Sequence, residues 1–529
     1  MNQEEGARAS DHIDNIYFDK RDSSILAMVN RIIDLGSVRD DHLLDTSLHP
    51  HGIKELVASP VERMAFAVVN LLRNLEGHSR PAEDRLTAFQ ALYDEVLNSA
   101  HSTLRRNTAR VLMQIMKELI RAHGGDRLTQ LKLAHDFRNV VHGTPRVVRR
   151  MLARYYLPEM PEEWNQIAFD DHVYDVNTKG RKTPTHLIMD AWIKGLRSLT
   201  VAYEYCLDPE AAREVLRAAE IAGIDVRIGL DFQVPFYDRF VHLFWIPRGF
   251  TSNDDFLSFL HQTRLTKLME RGREVLEWRR KCVLRAMRTW NETQRRPLAE
   301  AWGEPIEALT EDVFMQYIGV HQASMSRLAE CLHRHVRPAM KRRAAKLLAM
   351  DSEEAYAELE ALEELGPSTI YENWLSPAKH PDMPNMDDPA SMPEDAPEIM
   401  RLSAAELTRE LLSVSGGHRL VLNTTGLSVE DVAEILWDCQ GAVTHLEIFN
   451  MKGWMQGEMT DMKAIGDLQQ ALSQGLGPRI KKMLRAMIEH LESEGDEKRA
   501  GKFRSILRDV PALWEYYRNS PLKSRLGTS

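Results

Sequence analysis

Between residues 167 and 246 this chain alternates short apolar runs with stretches of helical periodicity, and no other feature limits its fold so strongly. IAFDDHVYDV reads as a strand, THLIMDAWIKGLR as a helix, SLTVAYEY as a strand and PEAAREVLRAAEIAG as a helix. DVRIGLDF and RFVHLFWI then read as two more strands. Strands separated by helices in this way predict βαβ units, and so a largely parallel sheet or barrel. The texture returns at GGHRLVLNTT, followed by a helix in SVEDVAEILWDCQG and a strand in AVTHLEIFN. Neither block, 167–250 or 415–450, is long enough to close a barrel by itself. Together they predict one distorted TIM-type α/β barrel split by the segment between them.

At 529 residues the chain is too long for one core; ~150 residues per domain gives about three. Residues 1–160 read as a helical N-terminal domain. PVERMAFAVVNLLRNLEG and TLRRNTARVLMQIMKELIRAHGG carry apolar residues at helical spacing, the second ending on Gly124-Gly125. Residues 161–251 hold the first part of the barrel. Residues 252–410 form a helical insertion that ends in a linker rich in Pro, Asp and Met between 366 and 400. Residues 411–529 return to the barrel and finish in a helical tail. The composition, 43% apolar and 28% charged, suits a soluble globular protein. A net charge of −10 gives no general attraction to nucleic acid or to an anionic membrane. The four cysteines form no CxxC pair, so neither a zinc knuckle nor a disulfide framework is expected. The first residues, MNQEEGARASDHIDN, lack the apolar core of a signal peptide. No apolar run reaches the ~18 residues of a membrane span. The expected location is the cytoplasm.

The densest polar cluster follows the first barrel strand: Asp170, Asp171, His172 and Asp175, then Thr178, Lys179, Gly180, Arg181 and Lys182. Barrel enzymes place their reactive groups at such strand ends. Carboxylates and an imidazole there could hold a divalent metal, and Lys179, Arg181 and Lys182 could hold a phosphate.

The run from Asp170 through His172 and Tyr174 to Gly180 and Thr183-Pro184 resembles the opening motif of the PHP (polymerase and histidinol phosphatase) superfamily. That motif reads DxHxH, a short DG loop, then TP. Ala191 and Gly195 are similar to the close of the helix that follows in that family. AGIDVRIGLDF resembles its "aGi.vi.GiE" strand, and FVHLFWI resembles its next, histidine-bearing strand. GREVLEWRRK, GEPIEALTEDVFMQYIG and SMSRLAECL resemble, in order and spacing, an insertion found in the branch of nucleoside-bisphosphate phosphatases with 5′–3′ exonuclease activity. GGHRLVLNT and AVTHLEIFN, which contains Glu447, resemble that branch's return to the barrel. The resemblance covers residues 170 to 450, about half of the chain, and rests on the order of the pieces.

The resemblance implies a barrel whose histidines and carboxylates bind more than one divalent ion, but most of those positions differ here. His172 and His242 match ligand histidines, and Asp231 stands for a glutamate. Tyr174, Tyr205 and Asn423 stand where the family has histidines, and Tyr203-Glu204-Tyr205 replaces its TDH. His172, Asp231 and His242, with Glu204 as an addition, could hold one ion, such as Mn, Zn, Fe or Mg, but not a cluster. Tyr174, Asp175, Tyr203, Tyr205, Asn423 and Glu447 would line the pocket. No GSDxH strand is located. The residues from Arg525 to Ser529 resemble the start of one cut short, which leaves open whether the natural chain extends beyond residue 529. The expected function is therefore a PHP-like module with a degenerate metal site, non-catalytic or strongly altered. The alternative is a one-metal phosphoesterase whose partner is a phosphorylated small molecule or a nucleic-acid end.

Two weaker signals complete the sequence. Arg138-Asn139 with His142 resembles the Arg–Asn…His motif of HEPN-type ribonucleases, one residue short of their spacing. His333 and His335, with His321 upstream, form a sparse metal candidate.

Overall fold

A computed structural model of the chain describes residues 18–35, 60–76, 81–100, 102–162, 168–319, 321–350, 352–386, 388–455, 457 and 461–527. The amino-terminal residues read for a signal peptide lie outside these, as do Thr528 and Ser529. The chain gathers into two compact units. One comprises residues 1–170, 182–200 and 210–227, and the other residues 171–181, 201–209 and 228–529.

The first unit is helical over Lys20–Leu35, Pro60–Glu76, Ala82–Ser99, Arg105–Arg121, Arg127–Val141 and Pro145–Arg154. Local chemistry sets the ends of these helices. The Asp126 carboxylate accepts from the Leu128 and Thr129 amides at the start of one helix, and Pro145 opens the next. Phe89, Leu92, Leu112, Ile115, Leu131 and Phe137 form the buried interior. Arg110, fully buried, donates to the carbonyls of Ile193 (2.8 Å) and Pro158 (2.9 Å) and to Asn107 Oδ1 (3.0 Å). Its guanidinium therefore bonds amide oxygens, and burial pulls its pKa down to about 10.

Among the described residues seven strands make one sheet in chain order and nearly close into a barrel: β1 (Phe169–Val173), β2 (Ser198–Glu204), β3 (Asp225–Phe236), β4 (Arg239–Pro247), β5 (His418–Asn423), β6 (His445–Asn450) and β7 (Lys523–Gly527). β5–β6 and β6–β7 are parallel. β4 departs from the expected parallel order, because it runs antiparallel to both β3 and β5. Only Tyr237 and Asp238 separate β3 from β4, too few residues for the crossover that parallel pairing needs. Tyr237 makes the reversal in the left-handed region, at φ 53°. After the helical tail, where the residues from Arg525 resemble the start of a strand, the chain forms β7, which pairs with β6. Arg525 on β7 donates to Asp171 on β1, through Nε at 2.6 Å and from the same guanidinium to the Asp171 carbonyl at 3.1 Å. This pair joins the two ends of the sheet.

Alternation with period two sends one set of side chains to a common face. Ala202, Phe244, Ile246 and Val421 pack together beneath Tyr174 as an apolar floor. Above it lie the polar residues of the candidate site. Because β4 is reversed, His242, near the start of that strand, sits level with Gln233 on β3.

The segment after β4 is helical, with Thr263–Thr293 and Met325–Leu348 its longest elements. It has its own core, built on residues such as Val283, Trp290, Phe314, Leu332 and Val336. The stretch read as a linker contributes Ile370, Leu375 and Met383 to that core. Among the described residues no helix is long and apolar enough to cross a membrane.

Candidate functional site

The centre of the mouth is the Tyr174 hydroxyl. It donates to Asp231 Oδ2 at 2.8 Å and lies 3.0 Å from His172 Nε2. A phenol has one proton to give. Asp231 is fully buried, which alone would push its carboxyl up. Its interactions with His242, then with Lys179 and His172, outweigh burial and hold the carboxyl well below the usual carboxylate range. An ionised Asp231 can only accept, so the Tyr174 proton is committed to it. His172 Nε2 must then carry a proton and donate it to the Tyr174 oxygen. Burial, reinforced by the charges of Asp231 and Glu204, drives the Tyr174 pKa well above its ordinary value, so the phenol stays neutral.

From Asp231 the contacts continue around the mouth. His242 Nδ1 lies 3.0 Å from Asp231 Oδ1, and His242 Nε2 lies 3.3 Å from the Gln233 amide nitrogen. Gln233 Oε1 accepts from Arg279 at 2.5 Å. Arg279 also reaches Glu204 Oε2 at 3.3 Å, and Lys179 Nζ reaches Glu204 Oε1 at 2.6 Å. Lys179 closes the circuit 5.2 Å above the Tyr174 ring. Burial would lower the Lys179 pKa, but Glu204 and Asp231 raise it overall, so the ammonium stays charged.

The remaining pocket residues support this ring. The His172 ring stacks on Phe244 at 4.8 Å, and its Nδ1 lies 3.4 Å from Glu447 Oε2. That is an ion-pair distance without hydrogen-bond geometry, since Nδ1 has no hydrogen-bond partner. Asn423, the register partner of Glu447, donates to Glu447 Oε1 at 3.2 Å, and Asn450 donates to the same oxygen at 2.8 Å. Tyr203 donates to the buried Asp175 at 2.6 Å, and Asp175 also accepts from the Asn177 amide at 2.8 Å. Both contacts fix the loop after β1. Gly180 closes that loop: a Cβ there would lie 2.2 Å from the Tyr174 carbonyl oxygen. The Tyr205 hydroxyl donates to the Gln233 carbonyl at 3.0 Å.

The sequence-predicted sets fare differently. His172, Asp231 and His242 come together, linked through Tyr174, while Glu204 lies across the ring, held by two cations. Among the described residues no group of three or more His, Cys, Asp or Glu side chains is arranged to hold a metal ion. The three phosphate candidates each bind a different carboxylate. Lys179 is on Glu204, Arg181 on Glu330 at 2.6 Å, and Lys182 on Asp190. Gln233, Arg279 and Asn450 were not expected at the site. Gln233 was within reach of the sequence, since it follows Asp231 by two and shares its face. Arg138 bonds the buried Asp22 at 2.7 Å, a structural pairing within the first unit. His335 bonds the Glu307 carbonyl at 3.0 Å, and His321 lies 3.2 Å from Arg327.

No protein-family model and no curated protein matches the sequence. Solved structures similar to it include two at low sequence identity. One is a proposed metal-dependent phosphoesterase from Bifidobacterium adolescentis, at 14% identity and TM-score 0.37, over 58% of this chain and 83% of that one. The other is an amidohydrolase from Chromobacterium violaceum, with bound sulfate and no metal, at 16% identity and TM-score 0.35, over 58% of this chain and 84% of that one.

Proposed function

We propose that this barrel is a phosphoesterase-like module, of the PHP kind its sequence resembles, whose mouth works without a metal centre and has lost hydrolysis. The observation that carries this reading is the Tyr174 hydroxyl between His172 and Asp231. A metal ion needs ligand lone pairs at ~2 Å. His172 Nε2 is protonated towards Tyr174, Asp231 is shared between Tyr174 and His242, and Glu204 is shared between Lys179 and Arg279. The candidate ligands are engaged with one another and with fixed cations, so they do not fit a metal. The module's role is then binding or scaffolding. Its four free cysteines suit a reducing cytoplasm.

A second reading is a one-metal phosphoesterase acting on a phosphorylated small molecule or a nucleic-acid end. It is favoured by the convergence of His172 and Asp231 on a single atom, and it requires the phenol to swing away. Metal analysis of the purified protein separates the two readings, together with hydrolysis assays on nucleoside bisphosphates and short oligonucleotides with Mn, Zn, Fe or Mg added. The expected outcome is substoichiometric metal and no hydrolysis above the blank. Stoichiometric metal with hydrolysis that His172→Ala abolishes would establish the second reading instead.

A further inference from the structure

We propose that the helical insertion is a cap latched over the barrel mouth, with Arg279 as the latch that enters the site. The mouth is taken as the ligand site, as above; whether a metal binds there does not enter.

The cap touches the mouth at two places. The first is the long helix Thr263–Thr293. A Cβ at Gly272 would lie 2.2 Å from the Tyr205 carbonyl oxygen, so glycine lets the helix backbone seat directly on the residue after Glu204. Two turns on and on the same helical face, Arg279 projects into the mouth. There it contacts Gln233 Oε1 and Glu204 Oε2 and lies 5.1 Å over the Tyr205 ring. Tyr205 is buried and held at φ 55°, a left-handed conformation that persists in a non-glycine residue only where surroundings impose it. Gly272 and Arg279 supply part of those surroundings.

The second place is the loop after β1. Gln322 donates to the Asn177 carbonyl at 2.6 Å and Arg327 to the Gly180 carbonyl at 3.1 Å, while Arg181 pairs with Glu330 at 2.6 Å. Lys179 lies inside the gripped loop. Both cations on the buried Glu204 therefore depend on the insertion: Arg279 belongs to it, and Lys179 sits on the loop it holds. A segment with its own hydrophobic core can shift as a body. Its release would withdraw Arg279 and loosen Lys179 together, exposing Glu204, Tyr174 and His172 behind them.

The test reads access to His172, which is 4% exposed. The full-length protein is acylated with diethyl pyrocarbonate in EDTA, and modification is followed by peptide mass spectrometry. Hydrogen exchange of residues 177–181 is measured in parallel. The exposed His490 calibrates the reagent. Glu330→Gln breaks the loop grip without touching the mouth carboxylates, and Arg279→Gln removes the latch. Glu330→Gln should speed both His172 acylation and loop exchange about three- to fivefold, the scale of a partly exposed ion pair. Arg279→Gln should speed them by about tenfold or more, as a more buried pair is lost. If Arg279→Gln does not fold, Glu330→Gln carries the test alone. Wild-type acylation and exchange rates in a folded Glu330→Gln protein would overturn the proposal. Failure of the metal-free reading would appear in metal analysis and leave these rates unaffected.

Discussion

At the scale of single residues, one hydroxyl organises the mouth. Removing it in Tyr174→Phe leaves Asp231 Oδ2 and His172 Nε2 without their shared partner, inside a site where water has little access. A buried polar group left unsatisfied costs about 1–3 kcal/mol. The variant should be less stable by that amount, read as a lower urea midpoint at unchanged slope. A double-mutant cycle with His172→Ala should return a coupling of about 1 kcal/mol. A Phe variant as stable as the parent, with zero coupling, would mean that the phenol does not hold the site together. The sequence made the replaced positions visible, because Tyr174 and Asn423 stand where a motif leads one to expect histidine. It did not show what the replacements do. That depends on Gln233 and Arg279, which lie 46 residues apart in the chain and meet only through register and helix phase.

At the scale of elements, periodicity located the helices and strands well, because a 3.6 or 2.0 period is written in the local sequence. Direction and closure are not local. The reversal of β4 turns on a two-residue connection, and the strand start legible from Arg525 gave no sign that β7 pairs with β6. Helix-to-helix polar contacts were equally hidden. In the first unit, Asp190 on the helix Pro184–Lys194 bonds Lys117 on Arg105–Arg121 at 2.6 Å and also pairs with Lys182. Burial would raise the Asp190 carboxyl, but Lys117, His186 and Lys182 pull its pKa down to about 2. Burial lowers the neighbouring His186 to about 4. Both shifts make the fold acid-sensitive, in separate windows. The unfolded chain takes up the His186 proton from about pH 6.5, so stability falls between about pH 6.5 and 4. A depressed Asp190 contributes stability that is present above about pH 4 and lost as pH falls towards 2. Asp190→Asn should cost about 3–5 kcal/mol at neutral pH, since it strands a buried ammonium. It should also flatten the loss below pH 4. Urea midpoints taken at stepped pH check this, and parallel curves for parent and variant below pH 4 would refute it.

At the scale of the whole molecule, the question is what holds a polar barrel mouth together. The alternatives predict different melting behaviour. If a divalent ion were part of the folded structure, metal at 100 times its Kd would add about 2.7 kcal/mol, and chelation would remove it. For a unit of about 320 residues, each kcal/mol moves Tm by about 2 °C, so the shift would be several degrees. Here Lys179 and Arg279 already neutralise Glu204, and His242 partners Asp231. The melting curve should therefore be the same, within about 1 °C, in EDTA and in Mn, Zn or Mg. Tyr174→Ala makes the expectation sharper. With the phenol gone, His172 and Asp231 face the space its hydroxyl occupied. This variant is the one in which added metal should raise Tm, if the phenol is what keeps metal out. A metal-dependent shift in the parent would show that the ion and the phenol exchange in one site. Equal insensitivity in both proteins would instead place the exclusion on Lys179 and Arg279, whose charges remain when Tyr174 is removed, and on His242, which stays on Asp231.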